Sequence, residues 1–165
     1  MSKYELDRNV VLGFHRKFVT GVLAITTIED SHPRGLVVNA FSSLSLDPPT
    51  IIVCVQQKST SHALLYARDH FAVNMLAVDQ IDHAKTLAAK GTDKFANIPW
   101  SAGPFGSPII QGSVGWLEVV VTERFQATTH TLFVARVVAA EYTERPPLVY
   151  SGGKFYDGER LSELA

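Results

Sequence analysis

The strongest candidates for a binding site lie in "VVNAFSS" at residues 37–43, where small and hydroxyl-bearing residues follow an apolar segment. The small side chains of Ala40, Ser42 and Ser43 leave the backbone accessible to a flat ligand. Main-chain N–H and C=O groups could then meet the polar edge of a heteroaromatic ring, as they do in many cofactor sites. The segment therefore indicates a platform for a planar ligand, although small residues in a strand can also serve packing alone.

A second cluster follows in "KSTSH", where the sequence predicts the start of a helix. Free backbone N–H groups and the positive end of the helix dipole make such a start a phosphate site. Hydroxyl residues also cap helices without binding anything, so an ordinary cap is the alternative interpretation. Lys58 and, from a later loop, Lys94 could supply positive charge. The residues predicted to hold the phosphate are Ser59, Thr60, Ser61 and His62.

The elements that must position these residues are mostly strands. β-branched and apolar runs indicate six to eight of them, and Ala127, Thr128 and Thr129 predict a hairpin between the two longest. The run "TIIVCV" is almost wholly apolar, so we expect it to be buried on both faces. Many strands with few helices predict a mainly β fold with flanking helices, in the form of a closed or nearly closed barrel. The strand segments are "GVLAITTI", "GLVVNAF", "TIIVCV", "HFAVNML", "SVGWLEVVVTERFQA", "HTLFVARVVAAEYTE", "PLVY" and "GKFYDG".

Three segments predict helices. The first, "DRNVVLGFHRKF", has Asp7 as its cap and Gly21 beyond its end. A short helix is expected in "STSHALLYARD", and another in "DQIDHAKTLAAKG" with Gly91 as its stop. The segment "TDKFANIPWSAGPFGSP" reads as a loop because Pro and Gly recur in it. The apolar positions of the first helix are Val10, Val11, Phe14 and Phe18.

Composition narrows the classes of function. The chain has 165 residues, which predicts a single domain over residues 1–165, and a formal net charge of -1. That charge provides no general attraction to nucleic acid or to an anionic membrane. The single cysteine, Cys54, excludes an intrachain disulfide. An N-terminus without an apolar core and the lack of a long apolar run predict a soluble cytoplasmic protein.

Other reactive side chains carry weaker signals. The histidines are scattered without metal-ligand spacing, so we expect no metal site. Cys54 lies inside an apolar strand, where an inert thiol is more usual than a nucleophile. His130 at a hairpin could be a solvated turn residue or a ligand-binding one. Lys154 and Tyr156 in "SGGKFYDG" could reach a ligand from the C-terminal side, although this stretch also reads as a turn. The lack of a G-x-S-x-G elbow or a glycine-rich phosphate loop disfavours hydrolases and Rossmann dehydrogenases.

Taken together, these motifs resemble the short-chain flavin reductases, which are the reductase components of two-component flavin-dependent monooxygenases. The resemblance runs nearly end to end, and its most specific part is "NAFSSLSLDPPTIIVCVQQKSTSH". It implies an FMN-binding split β-barrel and a homodimer with its flavin sites near the subunit interface. It also implies an enzyme that oxidises NADH or NADPH and reduces free FMN or FAD for a partner monooxygenase. Supporting segments are "FHRKFVTGVLAITT", "FAVNMLAVDQ", "GSPIIQGSVGWLEVVV", "HTLFVARVVA" and "PPLVYSGGKFYDG".

The resemblance also assigns roles by position. The isoalloxazine edge would be lined by Asn39, Ala40, Phe41 and Ser42, the ribityl chain by Cys54, Val55 and Gln56, and the phosphate by Ser59, Thr60, Ser61 and His62, with Lys94 or Phe95 closing the far side. His130 would contact the nicotinamide and is the candidate catalytic residue, with Tyr156 as a further flavin contact.

One departure bears on the nicotinamide. Many relatives have Gly-Asp-His where this chain has Thr128, Thr129 and His130, so the acidic residue is missing. Two alternatives to the free-flavin reductase stay open at this stage. One is a non-catalytic flavin- or haem-binding protein on the same barrel, and the other is a reductase that keeps its flavin bound and reduces another acceptor, such as a corrinoid.

Overall fold

The structure is a computed structural model that describes residues 6–91 and 93–164. Its helices are α1 (Arg8–Lys17), α2 (His62–Tyr66) and α3 (Ile81–Ala88). Its strands are β1 (Thr20–Gly21), β2 (Leu23–Glu29), β3 (His32–Val38), β4 (Phe41–Leu46), β5 (Pro49–Gln56), β6 (His70–Met75), β7 (Trp100–Ala102), β8 (Pro108–Ile110), β9 (Gly115–Ala127), β10 (His130–Tyr142), β11 (Leu148–Ser151) and β12 (Lys154–Asp157).

Seven strands form one antiparallel sheet in the order β3-β2-β6-β9-β10-β5-β4. The edge strands β3 and β4 are consecutive in sequence and are joined by residues 39–40 alone. So short a link requires the sheet to roll until its two edges meet, which makes a barrel. The ladder does not continue across this seam between β3 and β4, so the barrel is split there. The predicted barrel fold is confirmed.

The barrel interior is filled by inward-facing side chains, because successive strand residues point to opposite faces. In β5, Ile51, Val53 and Val55 are buried and belong to the main apolar cluster. A second apolar cluster packs α3 and the small sheet β1-β11-β12 against the outside of the barrel. The hairpin between β9 and β10 turns at Thr128, whose φ of 50° is in the left-handed region. This hairpin is the predicted one.

Two strand predictions need correction. The run "VVNAFSS" is not one strand, because it leaves β3 at Val38 and enters β4 at Phe41 on the opposite edge. The side chains of residues 37–43 therefore do not alternate between the two faces of a single strand. The run "TIIVCV" is not buried on both faces, since Ile52 and Cys54 are only half-buried in the single chain.

The helices are confirmed in place but differ in detail. Asp7 Oδ1 accepts a hydrogen bond from the Asn9 N–H at 2.8 Å and caps α1 as predicted. All ten residues of α1 are exposed or half-buried, so its apolar side chains do not enter the core as their spacing suggested. Helix α3 ends at Ala88 rather than at Gly91. The segment predicted as a loop contains the small hairpin β7–β8. Within the described residues, no helix is long and apolar enough to cross a membrane.

Candidate functional site

A cavity of about 470 Å³ beside the barrel seam gathers several of the predicted residues. We call it the main cavity. Its walls come from the end of β3, the 39–40 link, the outer face of β5, residues 58–60 and the end of α3. The volume lies in the range of about 300–1,000 Å³ that is usual for small-molecule sites. The apolar wall is formed by Leu36, Val37, Val38 and Leu87.

One end of the main cavity is formed by the 39–40 link, where the chain crosses from one sheet edge to the other. Asn39 and Ala40 are exposed and line the cavity. The Cys54 N–H donates to the Ala40 carbonyl at 3.0 Å, which fixes the link against β5. The short side chain of Ala40 leaves the backbone of the link open to the cavity.

The wall formed by residues 58–60 is polar, and we call it the polar end. Ser59 and Thr60 line the cavity, and the Ser59 N–H donates to the Gln56 carbonyl at 3.0 Å, so the chain turns tightly out of β5. Helix α2 begins only afterwards, at His62, and has five residues. The hydroxyl-bearing turn before α2, rather than the helix itself, therefore faces the cavity.

Three lysines surround this polar end: Lys58, Lys90 and Lys94. Lys94 Nζ donates to the Leu87 carbonyl at 2.8 Å, where α3 ends, and this bond holds the ammonium at the cavity wall. Desolvation by burial lowers the pKa of Lys94 from its ordinary value. Hydroxyl donors and ammonium groups at one end of a cavity form a binding place for an anion such as phosphate.

His130 enters the main cavity from the first position of β10. It pairs across the sheet with Gln56, so both side chains point to the same outer face, and both line the cavity. His130 Nδ1 lies 2.9 Å from Thr129 Oγ1. The Thr129 hydroxyl thus contacts the imidazole nitrogen of the next residue.

Cys54 also lines the main cavity and is half-buried. Burial raises the pKa of its thiol, which favours the neutral form over the nucleophilic thiolate. A contact role fits this environment better than covalent chemistry. Within the described residues, no cluster of three or more His, Cys, Asp or Glu side chains is arranged to hold a metal.

The structure brings eight of the fifteen predicted site residues to the main cavity. They are Asn39, Ala40, Cys54, Gln56, Ser59, Thr60, Lys94 and His130.

The other seven lie elsewhere. Phe41 packs against the main apolar cluster and Val55 is fully buried in it. Ser42 is exposed and bonds its neighbour's carbonyl. Phe95 belongs to the second cluster. Tyr156 faces a different cavity near β12, together with Val19 and Arg160.

Ser61 and His62 are turned away from the predicted phosphate. The Ser61 hydroxyl donates to the buried Gly35 carbonyl at 3.2 Å, so its proton is already used within the protein. His62 Nε2 lies 2.8 Å from the hydroxyl of buried Thr131, and its ring packs against Tyr66 and Phe133. Their side chains therefore fasten α2 to the barrel.

The sequence prediction missed several wall residues. Lys90 follows the end of α3, and the small Ala88 and Ala89 before it were a usable signal for close approach. A neighbouring apolar cavity of about 240 Å³ shares Val37, Val38 and Asn39 with the main cavity. Tyr150 and Phe155 also line this neighbouring cavity. Strand β12 therefore lines it with Phe155 and not with the predicted Tyr156.

The rolled antiparallel sheet, with its seam cavity lined by apolar, hydroxyl and lysine side chains, defines a split-barrel protein. The chain belongs to the flavin reductase family, because residues 14–159 match the family described as "Flavin reductase like domain".

Individual relatives agree with this assignment. The chain is similar to the NADH-dependent FAD reductase of Streptomyces globisporus, with 35% identity over 144 residues that cover 84% of this chain and 79% of that protein. It is also similar to the reductase component of a 4-nitrophenol 4-monooxygenase/4-nitrocatechol 2-monooxygenase from Rhodococcus opacus, with 36% identity covering 90% and 77% of the two chains. The solved structure of the Streptomyces globisporus C-1027 NADH:FAD oxidoreductase, in complex with NAD and FAD fragments, superposes with a TM-score of 0.86. The two sequences are 33% identical, and the superposition covers 93% of this chain and 96% of that chain.

Proposed function

We propose that this protein is an NAD(P)H-dependent flavin reductase that reduces free FMN or FAD and supplies it to a partner monooxygenase. The observation that carries the proposal is the main cavity, whose lining combines apolar residues with hydroxyls and lysines. This arrangement fits a flavin, which has a flat apolar ring at one end and a phosphate at the other. The relatives named as an NADH-dependent FAD reductase and a monooxygenase reductase component support the same activity.

A bound flavin would supply the redox chemistry by accepting a hydride from the reduced nicotinamide ring. The chain's own task is then to position two rings and to keep water out. Asn39 and Ala40 would lie along the ring edge, and Ser59 and Thr60 would donate to the phosphate. His130, at the cavity mouth beside Gln56, would orient the nicotinamide.

This task requires no side chain to act as acid or base on the transferred hydride. The neutral Cys54 thiol and the absence of a metal cluster among the described residues are compatible with it. Gln56 and the remaining wall residues would act through contact and shape.

We also propose a homodimer, and the support is the outer face of the sheet. On an antiparallel sheet that faces water, the outward positions are normally polar. Here Ile52, Leu132 and Val134 point outward and pair across β5 and β10, and Phe125 of β9 beside them is 50% exposed. We call these residues, with Cys54, the apolar outer face.

The apolar outer face adjoins the main cavity. Cys54 belongs to both, and Gln56 and His130 point to the same side of the sheet. A second copy of the chain on this face would bury its apolar side chains and stand beside the flavin. The dimer would thus help to close the cavity against water.

Anaerobic mixing tests the proposed activity. Catalytic amounts of protein are mixed with NADH or NADPH and excess free FMN or FAD, and the visible absorption band of the oxidised flavin is followed. We expect the band to bleach over many turnovers. Lack of bleaching with both flavins and both nicotinamides would reject the proposal. A flavin that stays with the protein through gel filtration would instead favour a bound prosthetic group.

A further inference from the structure

Helix α1 carries an apolar stripe that its own chain leaves uncovered. Val10 and Phe14 lie four residues apart in α1, and Leu6 and Phe18 continue the same spacing on either side. Residues at this spacing lie on one side of a helix. The four side chains are between 66% and 79% exposed, so the stripe faces solvent in the single chain. We call residues 6–18 the arm.

The arm has little to keep it helical by itself. An isolated helix of ten residues is marginal in water, because nucleation is unfavourable and packing normally compensates for it. Gly13 in the middle disfavours the helix further, and a Cβ added there would meet no atom within 4 Å, so packing within the chain does not require glycine. An exposed glycine does let another surface approach the helix closely. The arm therefore fits a helix that packs against a second body.

The charges of the arm indicate the kind of surface that it fits. Arg8, Arg16 and Lys17 are exposed, and none of them forms an ion pair within the part of the chain that the structure describes. The carboxylate of Asp7 is occupied by the cap of α1. An apolar surface that also carries a carboxylate would complement this helix.

The apolar outer face has this composition. Ile52, Leu132 and Val134 are half-buried there and point outward. Glu123 of β9 pairs with Val134, so its side chain points to the same side of the sheet. It is exposed and has no ion-pair partner among the described residues. The chain thus has both an uncovered apolar helix with basic residues and an uncovered apolar face with an acidic one.

We propose that each arm packs on the apolar outer face of a second copy, so that the two subunits of the homodimer exchange arms. This inference rests on the proposed homodimer. The basic last turn of the arm would lie towards Glu123 of the partner subunit, which orients the arm and adds little energy, since exposed ion pairs are weak. Because Cys54 belongs to both the apolar outer face and the main cavity, the partner's arm would border the proposed flavin site.

An anionic membrane is the other surface that a basic amphipathic helix can bind. A second copy is favoured because the chain has a formal net charge of -1, which opposes a general attraction to anionic lipid. A second copy also always presents the complementary face.

Cysteine cross-linking between two co-expressed copies with tags of different size tests the exchange. One copy carries Lys17→Cys on the arm and the other Glu123→Cys on the face, and Cys54→Ser in both removes the single native cysteine. A short bismaleimide should then give a covalent heterodimer of intermediate mobility on a denaturing gel. Arg8→Cys, at the other end of α1, is the matched control for Lys17→Cys and should give much less of this product.

The dimer Kd provides an independent measurement. The double variant Val10→Ser, Phe14→Ser should raise it at least about 100-fold, because burial of both side chains is lost in two arms. Analytical ultracentrifugation measures the Kd, and circular dichroism confirms the fold. Leu164→Ser, which removes an exposed leucine outside the arm, should leave the Kd unchanged.

The outcomes that would overturn the inference are distinct from failure of the homodimer. Absence of the heterodimer product, or as much of it with Arg8→Cys, would show that the arm does not lie on the partner's face. An unchanged Kd in the double variant would show that the stripe is not buried in the dimer. Binding of the wild type, but not of the double variant, to vesicles of anionic phospholipid, with an unchanged dimer, would assign the arm to a membrane. A monomeric wild type would instead reject the homodimer itself.

Discussion

The orientation of the His130 side chain is limited by the adjacent residue, Thr129. Its Nδ1 lies 2.9 Å from the Thr129 hydroxyl, and Gln57 Nε2 donates to its carbonyl at 3.3 Å. The imidazole is therefore fixed at the main cavity by neutral groups. Because a threonine hydroxyl can donate or accept, the contact limits ring orientation without adding a negative charge.

Replacement of His130 by Ala should raise the KM for the nicotinamide nucleotide more than the KM for flavin. The reason is that we propose His130 as a nicotinamide contact, while Ser59 and Thr60 are the proposed phosphate contacts. Steady-state kinetics with each substrate varied in turn measure the two values. A larger effect on flavin would contradict the assignment, and Gln126→Ala on the same hairpin is the control.

Lys94 leads to a pH prediction. Burial disfavours its charged form, so its pKa is lowered from the ordinary value in the free protein. The protonated form binds phosphate better, so flavin affinity should be constant below the lowered pKa and fall as the pH rises through it. In the wild type, the flavin Kd should therefore rise across the alkaline range. Lys94→Met should bind more weakly and lose that part of the pH dependence; an identical pH profile would contradict the role.

At the scale of elements, local sequence patterns predicted the strands and helices. The β-branched runs predicted the strands, and Asp7 predicted the start of α1. The break between β3 and β4 could not be predicted, because nothing in "VVNAFSS" shows that Val38 and Phe41 lie on opposite edges of the sheet. The half-buried state of Ile52 was likewise misjudged, since an apolar composition does not tell which face of a strand packs against the core.

The hairpin β7–β8 depends on one buried carboxylate. Glu118 of β9 is 1% exposed and accepts the N–H groups of Phe105 at 2.9 Å and Ser107 at 2.8 Å. A Cβ on Gly103 would lie 2.6 Å from Glu118 Oε2, so this position requires glycine. The sequence placed Glu118 in a strand but gave no sign of this long-range contact.

Glu118→Gln should lower the free energy of unfolding by about 1–3 kcal/mol, because the amide has one acceptor oxygen for two buried donors. Urea denaturation gives the value. The control is Glu123→Gln, an exposed position on the same strand, which should change stability by less than about 0.5 kcal/mol. Equal stability of the two variants would show that the hairpin does not depend on the carboxylate.

At the scale of the whole molecule, the apolar outer face predicts association. Ile52 pairs with Val134 within this face, so Ile52→Glu should convert a dimer into a monomer by placing a charge in an apolar interface. Analytical ultracentrifugation measures the change, with circular dichroism to confirm the fold. The control Phe105→Glu, on an exposed loop, should stay dimeric. A wild-type monomer at micromolar concentration would contradict the proposal.

The main cavity is itself a property of the whole molecule. Ser59 and Thr60 were predicted to hold phosphate from local sequence, and they do line the cavity with Asn39 and Ala40. Ser61 was indistinguishable from them in sequence, yet its hydroxyl donates to Gly35. Only the rolled sheet decides which hydroxyls face the cavity, so local sequence could not separate Ser61 from Ser59 and Thr60.

The most direct test of this account is a flavin titration of the double variant Ser59→Ala, Thr60→Ala. Loss of two neutral hydrogen bonds, at about 1 kcal/mol each, should raise the flavin Kd about 5- to 30-fold. Ser43→Ala, which removes an exposed hydroxyl of β4, should leave the Kd unchanged. An unchanged Kd in the double variant would mean that the turn before α2 holds no phosphate and that the main cavity is not the flavin site.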